Sequence, residues 1–178
     1  MTTTADTLRA QFAELLERHR GIALKVARSY CHDVEDRKDL LQEISTQAWQ
    51  AFAGFDGQRA QFSTWLYRVA LNIAISRVRA VQVRQRHHAD NADIDAFAST
   101  VDSAEDNAQL AQLQALIRSL PALDRALLLL HLDDCSHREI GDVLGISPGN
   151  AATRLHRLKL QLRQQFAEAP SPRSTPRG

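Results

Sequence analysis

Six arginines fall between Gly57 and Ala89 (Arg59, Arg68, Arg77, Arg79, Arg84 and Arg86), together with two histidines and not one Asp or Glu. Phe62, Trp65 and Tyr67 stand at the head of the stretch. Guanidinium groups hold phosphates, and aromatic rings offer a surface on which unpaired bases stack. The composition therefore suits a nucleic-acid backbone with exposed bases. The whole chain carries a formal charge of only +1, so this local excess is not bulk composition. A second basic block, +5 over residues 147–178, is separated from the first by a segment of −6 over residues 90–106. Charge segregated in this way is expected of a polyanion binder with a self-repelling spacer.

The second basic block has its own local logic. Ser136-His137-Arg138-Glu139 has the form of a capping box, in which the Ser hydroxyl and the Glu carboxylate each satisfy a backbone amide of the other. Gly145 is suited to end that helix in a left-handed conformation, and Ile146 fills the turn. Ser147 then caps the next helix, with Pro148 at its first position. Two short helices around a glycine turn are the sequence form of a helix-turn-helix. On the second helix Ala151, Leu155, Leu158 and Leu162 form an inward stripe, while Asn150, Thr153, Arg154 and Arg157 project outward. No acid occurs from Ser147 to Gln165. Donors on the exposed N-terminal half, flanked by Arg, are what a helix needs to reach base edges and phosphates in the major groove. An ordinary helical hairpin with a solvated basic face is the plainer alternative. Caps, turn and one-sided charge together favour DNA.

These groups must be held by helices. The chain has 178 residues, 44% hydrophobic, with only seven Gly and five Pro, which points to an all-helical protein. Apolar periodicity predicts a helix over 7–30 and a second over 35–53, ended by Gly54 and Gly57. A third starts with Ser63 as its N-cap and Phe62 just outside. Its apolar face is Leu66, Val69, Ala70 and Ile73. Arg68, Asn72, Arg79 and Arg86 fall within about 40° of one another on the same helix. Arg77 and Arg84 occupy the continuation of the apolar face, so the helix is expected to outrun its core after Ile75. Residues 87–107 hold six acids and few large apolar side chains and read as a flexible linker. A second helical set follows: one helix ends at Pro121, an apolar one covers Ala126 to Leu132, and two more cover 136–144 and 148–166. The expected fold class is all-α, with two small helical domains joined by a flexible acidic linker. The domains are 1–86 and 108–166, followed by a disordered tail over 167–178.

Several function classes are disfavoured. No apolar run approaches a membrane span, and Met1 to Arg9 has no apolar signal core, which argues for a cytoplasmic location. Two cysteines, Cys31 and Cys135, fit a reducing compartment rather than a disulfide framework. No phosphate-cradling glycine loop or nucleophile motif marks an enzyme, and no cofactor is expected. His131, Asp133, Asp134, Cys135 and His137 match no common zinc spacing, and no metal is expected there.

Longer motifs make the chain recognisable. Asp39-Leu-Leu-Gln-Glu43, then Trp49 and Phe52, then Phe62-Ser-Thr-Trp-Leu-Tyr-Arg-Val-Ala-Leu-Asn72, resembles region two of bacterial sigma factors. Leu120-Pro121, Arg125, Ser136-His-Arg-Glu-Ile140, Leu144-Gly-Ile-Ser147 and Thr153-Arg-Leu-His-Arg157 resemble region four. Nothing in this sequence corresponds to regions one and three. That layout is similar to the extracytoplasmic-function (ECF) group of the sigma-70 family, over about residues 8–165.

The resemblance implies a function without bond chemistry: binding core RNA polymerase, recognising the −35 and −10 promoter elements, and promoting DNA melting. It implies that Asp39, Leu40, Gln42 and Glu43 dock on the clamp helices of the β′ subunit. Arg68, Asn72, Arg79 and Arg86 would meet the melted −10 element, the Asn72 amide reading a flipped base and the arginines tracking phosphates. Asn150, Thr153, Arg154 and Arg157 would read the −35 element as duplex. Trp65 is expected to anchor the core, with Phe62 or Tyr67 approaching DNA. An anti-sigma factor is an expected partner; direct membrane insertion is not. Two departures stand out: Ser76 where the family usually has Asp, and Ala152 where the recognition helix often has Lys. The second removes a phosphate contact, so promoter sequence does not carry over.

Two rival readings remain. A sigma mimic that only captures an anti-sigma factor should have lost its basic surfaces, and both are present. A simple helix-turn-helix regulator would leave Asp39 to Asn72 without a purpose.

Overall fold

A computed structural model of the chain describes residues 4–88 and 115–168, and every regular element among them is helical. The first half comprises α1 (Thr4–Arg18), α2 (Arg20–Tyr30), α3 (Val34–Phe52) and α4 (Phe62–His88). The second comprises a helical stretch over 115–119, α5 (Ala122–Leu132), α6 (His137–Leu144) and α7 (Pro148–Glu168). The stretch expected to be a linker and the expected tail lie outside the described residues, apart from His87 and His88 at the end of α4 and residues 167–168 at the end of α7.

Boundaries in the first half differ from the sequence expectation for local reasons. The helix expected over 7–30 is broken at His19, whose backbone (φ −110°, ψ 14°) leaves the helical region. Gly21 in the first turn of α2 weakens continuity there, and the His19 ring lies 5.4 Å from that of Phe62. α3 starts at Val34 because Asp33 caps it. The Asp33 carboxylate accepts from the amides of Glu35 at 2.8 Å and Asp36 at 3.2 Å, and those bonds hold its carboxyl below the ordinary range. α4 takes Phe62 into its first turn, with the Trp65 amide donating to the Gln61 carbonyl at 3.0 Å. Ser63 is therefore inside the helix and does not cap it.

The core of this half is apolar and aromatic. Val26, Leu40, Ile44, Ala48, Leu66 and Ala70 are completely buried. At one end Phe12, Trp49, Phe52, Phe55, Phe62 and Trp65 form a continuous cluster, with neighbouring ring centroids 5.1 to 6.2 Å apart. Burying each large side chain of this kind contributes roughly 1.5–3 kcal/mol, so the three-helix packing of α2, α3 and α4 is set here. α4 leaves that core where its periodicity ends: from Ser76 to Gln85 no residue is buried.

In the second half α5 is unusual. Six consecutive residues, Arg125 to Leu130, are all buried, so over this stretch the helix has no solvent face. A helix apolar all round must be covered on every side. α6 and α7 cover one side; α2 and α4 of the first half cover another. The two halves thus share one continuous core.

Candidate nucleic-acid interface

The basic stripe of α4 is open. Arg68, Asn72 and Arg79 are exposed on the helix, opposite the buried Leu66, Ala70, Leu71 and Ala74. The backbone of Arg86 is helical, but its side chain lies outside the described residues. Arg77 does not join the stripe. Its guanidinium turns to α3, meeting the Glu43 carboxylate at 3.6 Å and the Asp36 carbonyl at 3.5 Å. The arginine that interrupts the apolar face is therefore a tie between α3 and α4.

The aromatics at the head of α4 correct a sequence expectation. Phe62 and Tyr67 were the rings expected near DNA, and both are buried. Phe62 packs into the aromatic cluster at 5.2 Å from Trp65. Tyr67 donates its hydroxyl to the Asp133 carboxylate at 2.5 Å, across the seam between the halves. Burial, and then that hydrogen bond, push the phenol well above its ordinary range, so it stays a neutral donor. Trp65 is the least buried of the three, against Phe52 and Phe55.

On α3, Asp39 and Gln42 are exposed, and Glu43 is half-buried beneath Arg77. Leu40, grouped with them in sequence, is completely buried between α3 and its neighbours. It shapes the face from beneath and presents no side chain to a partner, because it falls on the apolar stripe with Ile44 and Ala48.

The helix-turn-helix forms as its sequence indicates. The Ser136 hydroxyl accepts from the Glu139 amide at 3.2 Å, and the Glu139 carboxylate accepts from the Ser136 amide at 2.8 Å. These bonds hold the Glu139 carboxyl below its ordinary range. Gly145 closes α6 in the left-handed region (φ +69°), and the Ser147 hydroxyl accepts from the Asn150 amide at 3.2 Å. Gly141 is a constraint that sequence reasoning missed. A Cβ there would lie 2.6 Å from the Ile146 carbonyl, so only glycine lets the turn fold back on α6. Its sequence signal is slight: a glycine in the interior of a short helix.

α7 buries Ala151, Leu155 and Leu158 and exposes Asn150, Thr153 and Arg157. Arg154 is half-buried and paired with Asp124 of α5 at 2.8 Å, which steadies its guanidinium at the edge of the face. Asp124, Asn150, Arg154 and Arg157 line an open, polar recess of about 380 Å³ on this surface. Asn150, Thr153, Arg154 and Arg157 therefore share one face, as do Arg68, Asn72 and Arg79; the structure keeps these two faces on separate helices.

Burial pushes both the Cys31 and the Cys135 thiol up, so they are poor nucleophiles. Among the described residues no three His, Cys, Asp or Glu side chains gather as a metal site, and no helix is long and apolar enough to cross a membrane.

Comparison with known proteins agrees with this geometry. Residues 15–84 match the model for sigma-70 region 2, and residues 110–162 that for sigma-70 region 4. The ECF RNA polymerase sigma factor SigW of Bacillus subtilis is 28% identical over 168 residues, covering 88% of this chain and 89% of that protein. SigE of Mycolicibacterium smegmatis, another ECF sigma factor, is 30% identical over 160 residues, covering 87% of this chain and 61% of that one. Two solved structures share the fold: CnrH in complex with the cytosolic domain of CnrY (TM-score 0.65, 23% identity, 91% of each chain). The other is the sigma factor RpoE of Bartonella quintana in complex with the anti-sigma factor NepR (TM-score 0.66, 18% identity, 91% of this chain and 98% of that one).

Proposed function

The chain belongs to the ECF group of the sigma-70 family, and on that premise we propose that it directs core RNA polymerase to promoters by reading two DNA elements with two separate faces. The observation that carries this reading is the pairing of an open Arg68–Asn72–Arg79 stripe on α4 with an open Asn150–Thr153–Arg157 face on α7. The α7 face suits duplex DNA: a helix N-terminal half with amide, hydroxyl and guanidinium donors fits the major groove. The α4 stripe suits melted DNA. Asn72 offers both a donor and an acceptor to the edge of an extruded base, and the flanking arginines track the strand. Trapping unpaired bases favours melting by mass action, with no bond made or broken.

Docking on core polymerase falls to the exposed Asp39, Gln42 and the rim of Glu43, held in register by the buried Leu40 beneath. A basic partner surface suits this acidic face, and on the family reading that surface belongs to the clamp helices of the β′ subunit. An anti-sigma factor is a further partner on this reading, since both structural neighbours were solved in complexes, one of them with a protein named as such.

The test is transcription of a fragmented bacterial genome by core polymerase with and without the chain, mapping RNA 5′ ends. Discrete start sites that depend on the chain, sharing two upstream sequence elements, are expected. Unfocused initiation in the presence of a well-folded chain would overturn the reading.

A further inference from the structure

One ion pair within the second half ties α7 to an element that supplies none of the donors on its outward face. The Arg154 guanidinium donates through Nη2 to the Asp124 carboxylate at 2.8 Å. Asp124 stands in the first turn of α5, 30 residues earlier in the chain. Both side chains are sheltered: Arg154 is 34% exposed and Asp124 26%. In the pairs Arg18–Glu14 and Lys38–Glu35 the side chains are 64–75% exposed. Water screens pairs of the second kind, whereas shelter preserves both the attraction and the geometry. No acid occurs on α7 from Ser147 to Gln165, so folding alone brings a carboxylate to its outward face. Asp124 lines the recess of about 380 Å³ there, with Asn150, Arg154, Arg157 and Gln161. Arg157, one turn on, is exposed and carries no ion pair among the described residues.

An arginine at a DNA surface has two kinds of target. Phosphates attract its charge and are blind to sequence; base edges use its directed N–H groups and carry sequence. The Asp124 carboxylate decides between them. Set against Arg154, it cancels most of the net charge that would draw the guanidinium to a phosphate, and it repels the phosphate itself. The Nε and Nη1 donors stay unspent, and the bond to Asp124 fixes the plane in which they point. A guanidinium held in this way suits an edge with two acceptors side by side, which guanine N7 and O6 supply in the major groove. Arg157, with no carboxylate against it, keeps its charge for the backbone.

We propose that Asp124 is a positioning residue for sequence discrimination: it holds Arg154 off the phosphates and aims it at one guanine of the upstream promoter element. This rests on the promoter reading above and deepens it, dividing the arginines of α7 by task. Arg154 serves sequence and Arg157 the strand. Two separate consequences follow from removing the carboxylate charge. A freed cation adds one phosphate contact, so the slope of log affinity against log salt steepens by about 0.9. Preference for guanine at one position falls by about tenfold, within the range for losing one bidentate base contact. A pair that merely braced α7 against α5 would do neither, because its loss would weaken binding at every position alike.

The experiment loads core polymerase with the full chain and uses a promoter found by the genome transcription test, its upstream element randomised. Sequencing the templates that yield transcripts gives base preference position by position. Wild type is compared with Asp124→Asn, Asp124→Glu, Arg154→Ala and the combination of Asp124→Asn with Arg154→Ala, all equally folded by circular dichroism. Binding of the same complexes to the unrandomised promoter at several salt concentrations gives the slope. Asp124→Asn, nearly isosteric, should lose about tenfold of the guanine preference at one position on either strand, keep the other preferences, and steepen the slope. Asp124→Glu keeps a carboxylate and should restore both readouts. In the Arg154→Ala background Asp124→Asn should change nothing further, because it acts through that guanidinium. Unchanged preferences in Asp124→Asn, or an equal loss at every position, would overturn the positioning role; wild type would still select an upstream sequence, and the promoter reading would stand. A wild type that selects no upstream sequence would remove the promoter reading and the positioning role together.

Discussion

At the scale of single residues, exposure separates binding from support. Asn72 is exposed on α4 while its neighbour Leu71 is buried. Asn72→Ala should therefore leave folding and core-polymerase binding intact and slow open-complex formation, read by permanganate reactivity of unpaired thymines; equal loss of core binding would contradict its role. Leu40 behaves in the opposite way. Leu40→Ala opens a cavity in the core and should cost about 2–5 kcal/mol in urea unfolding, whereas Gln42→Ala on the same helix should cost under about 0.5 kcal/mol. Any loss of polymerase binding in Leu40→Ala then follows from instability, and in Gln42→Ala from the surface itself. Sequence alone grouped these two residues because they sit together in a family motif, and the apolar period was read through Leu41, Ile44 and Ala48; the structure puts Leu40 on the buried face with Ile44 and Ala48 and leaves Leu41 half-buried. The fates of Phe62 and Tyr67 were less legible. Aromatics beside arginines are equally consistent with base stacking and with a core edge, and only the position of α5 shows what Tyr67 meets.

At the scale of elements, the helix-turn-helix was the most legible part of the chain, because each of its boundaries is set by local chemistry. Ser136, Glu139, Gly145 and Ser147 each do in the structure what their residue types allow. Losing the capping box by Ser136→Ala should cost about 1 kcal/mol. Its pH dependence follows from Glu139, whose carboxyl is held below its ordinary value of 4.5 chiefly by the Ser136 hydrogen bonds. A depressed carboxyl contributes fully above 4.5 and loses that contribution as pH falls through the lower, folded-state value. The stability difference between wild type and Glu139→Ala, from urea midpoints, should therefore be largest near neutrality and shrink in acid. A difference that grows on acidification would contradict the box. Elsewhere local signals competed. Asp33 rather than a residue of the apolar pattern sets the start of α3, and His19 with Gly21 divides a helix whose apolar period runs on unbroken. Gly141 was invisible because its constraint, the Ile146 carbonyl, comes from the turn that follows.

At the scale of the whole molecule, charge order along the chain was readable and the packing of the halves was not. Alternating blocks of +6, −6 and +5 indicate two polyanion-binding units with a spacer. The seam depends on Lys25, Tyr30, Tyr67, Arg125 and Asp133, single residues far apart in sequence with no shared period. The apolar run of α5 was its one trace, since a helix within a small domain ordinarily keeps a polar face. The two basic faces make sense together only if a larger assembly holds them on one DNA molecule, so binding to core polymerase is the claim on which the account turns. The most direct test is size-exclusion co-elution of the full chain with bacterial core RNA polymerase, comparing wild type with Asp39→Arg combined with Glu43→Arg. The account predicts a stable complex for wild type and its loss in the double variant, with both proteins equally folded by circular dichroism. A well-folded wild type that elutes apart from core polymerase would contradict it.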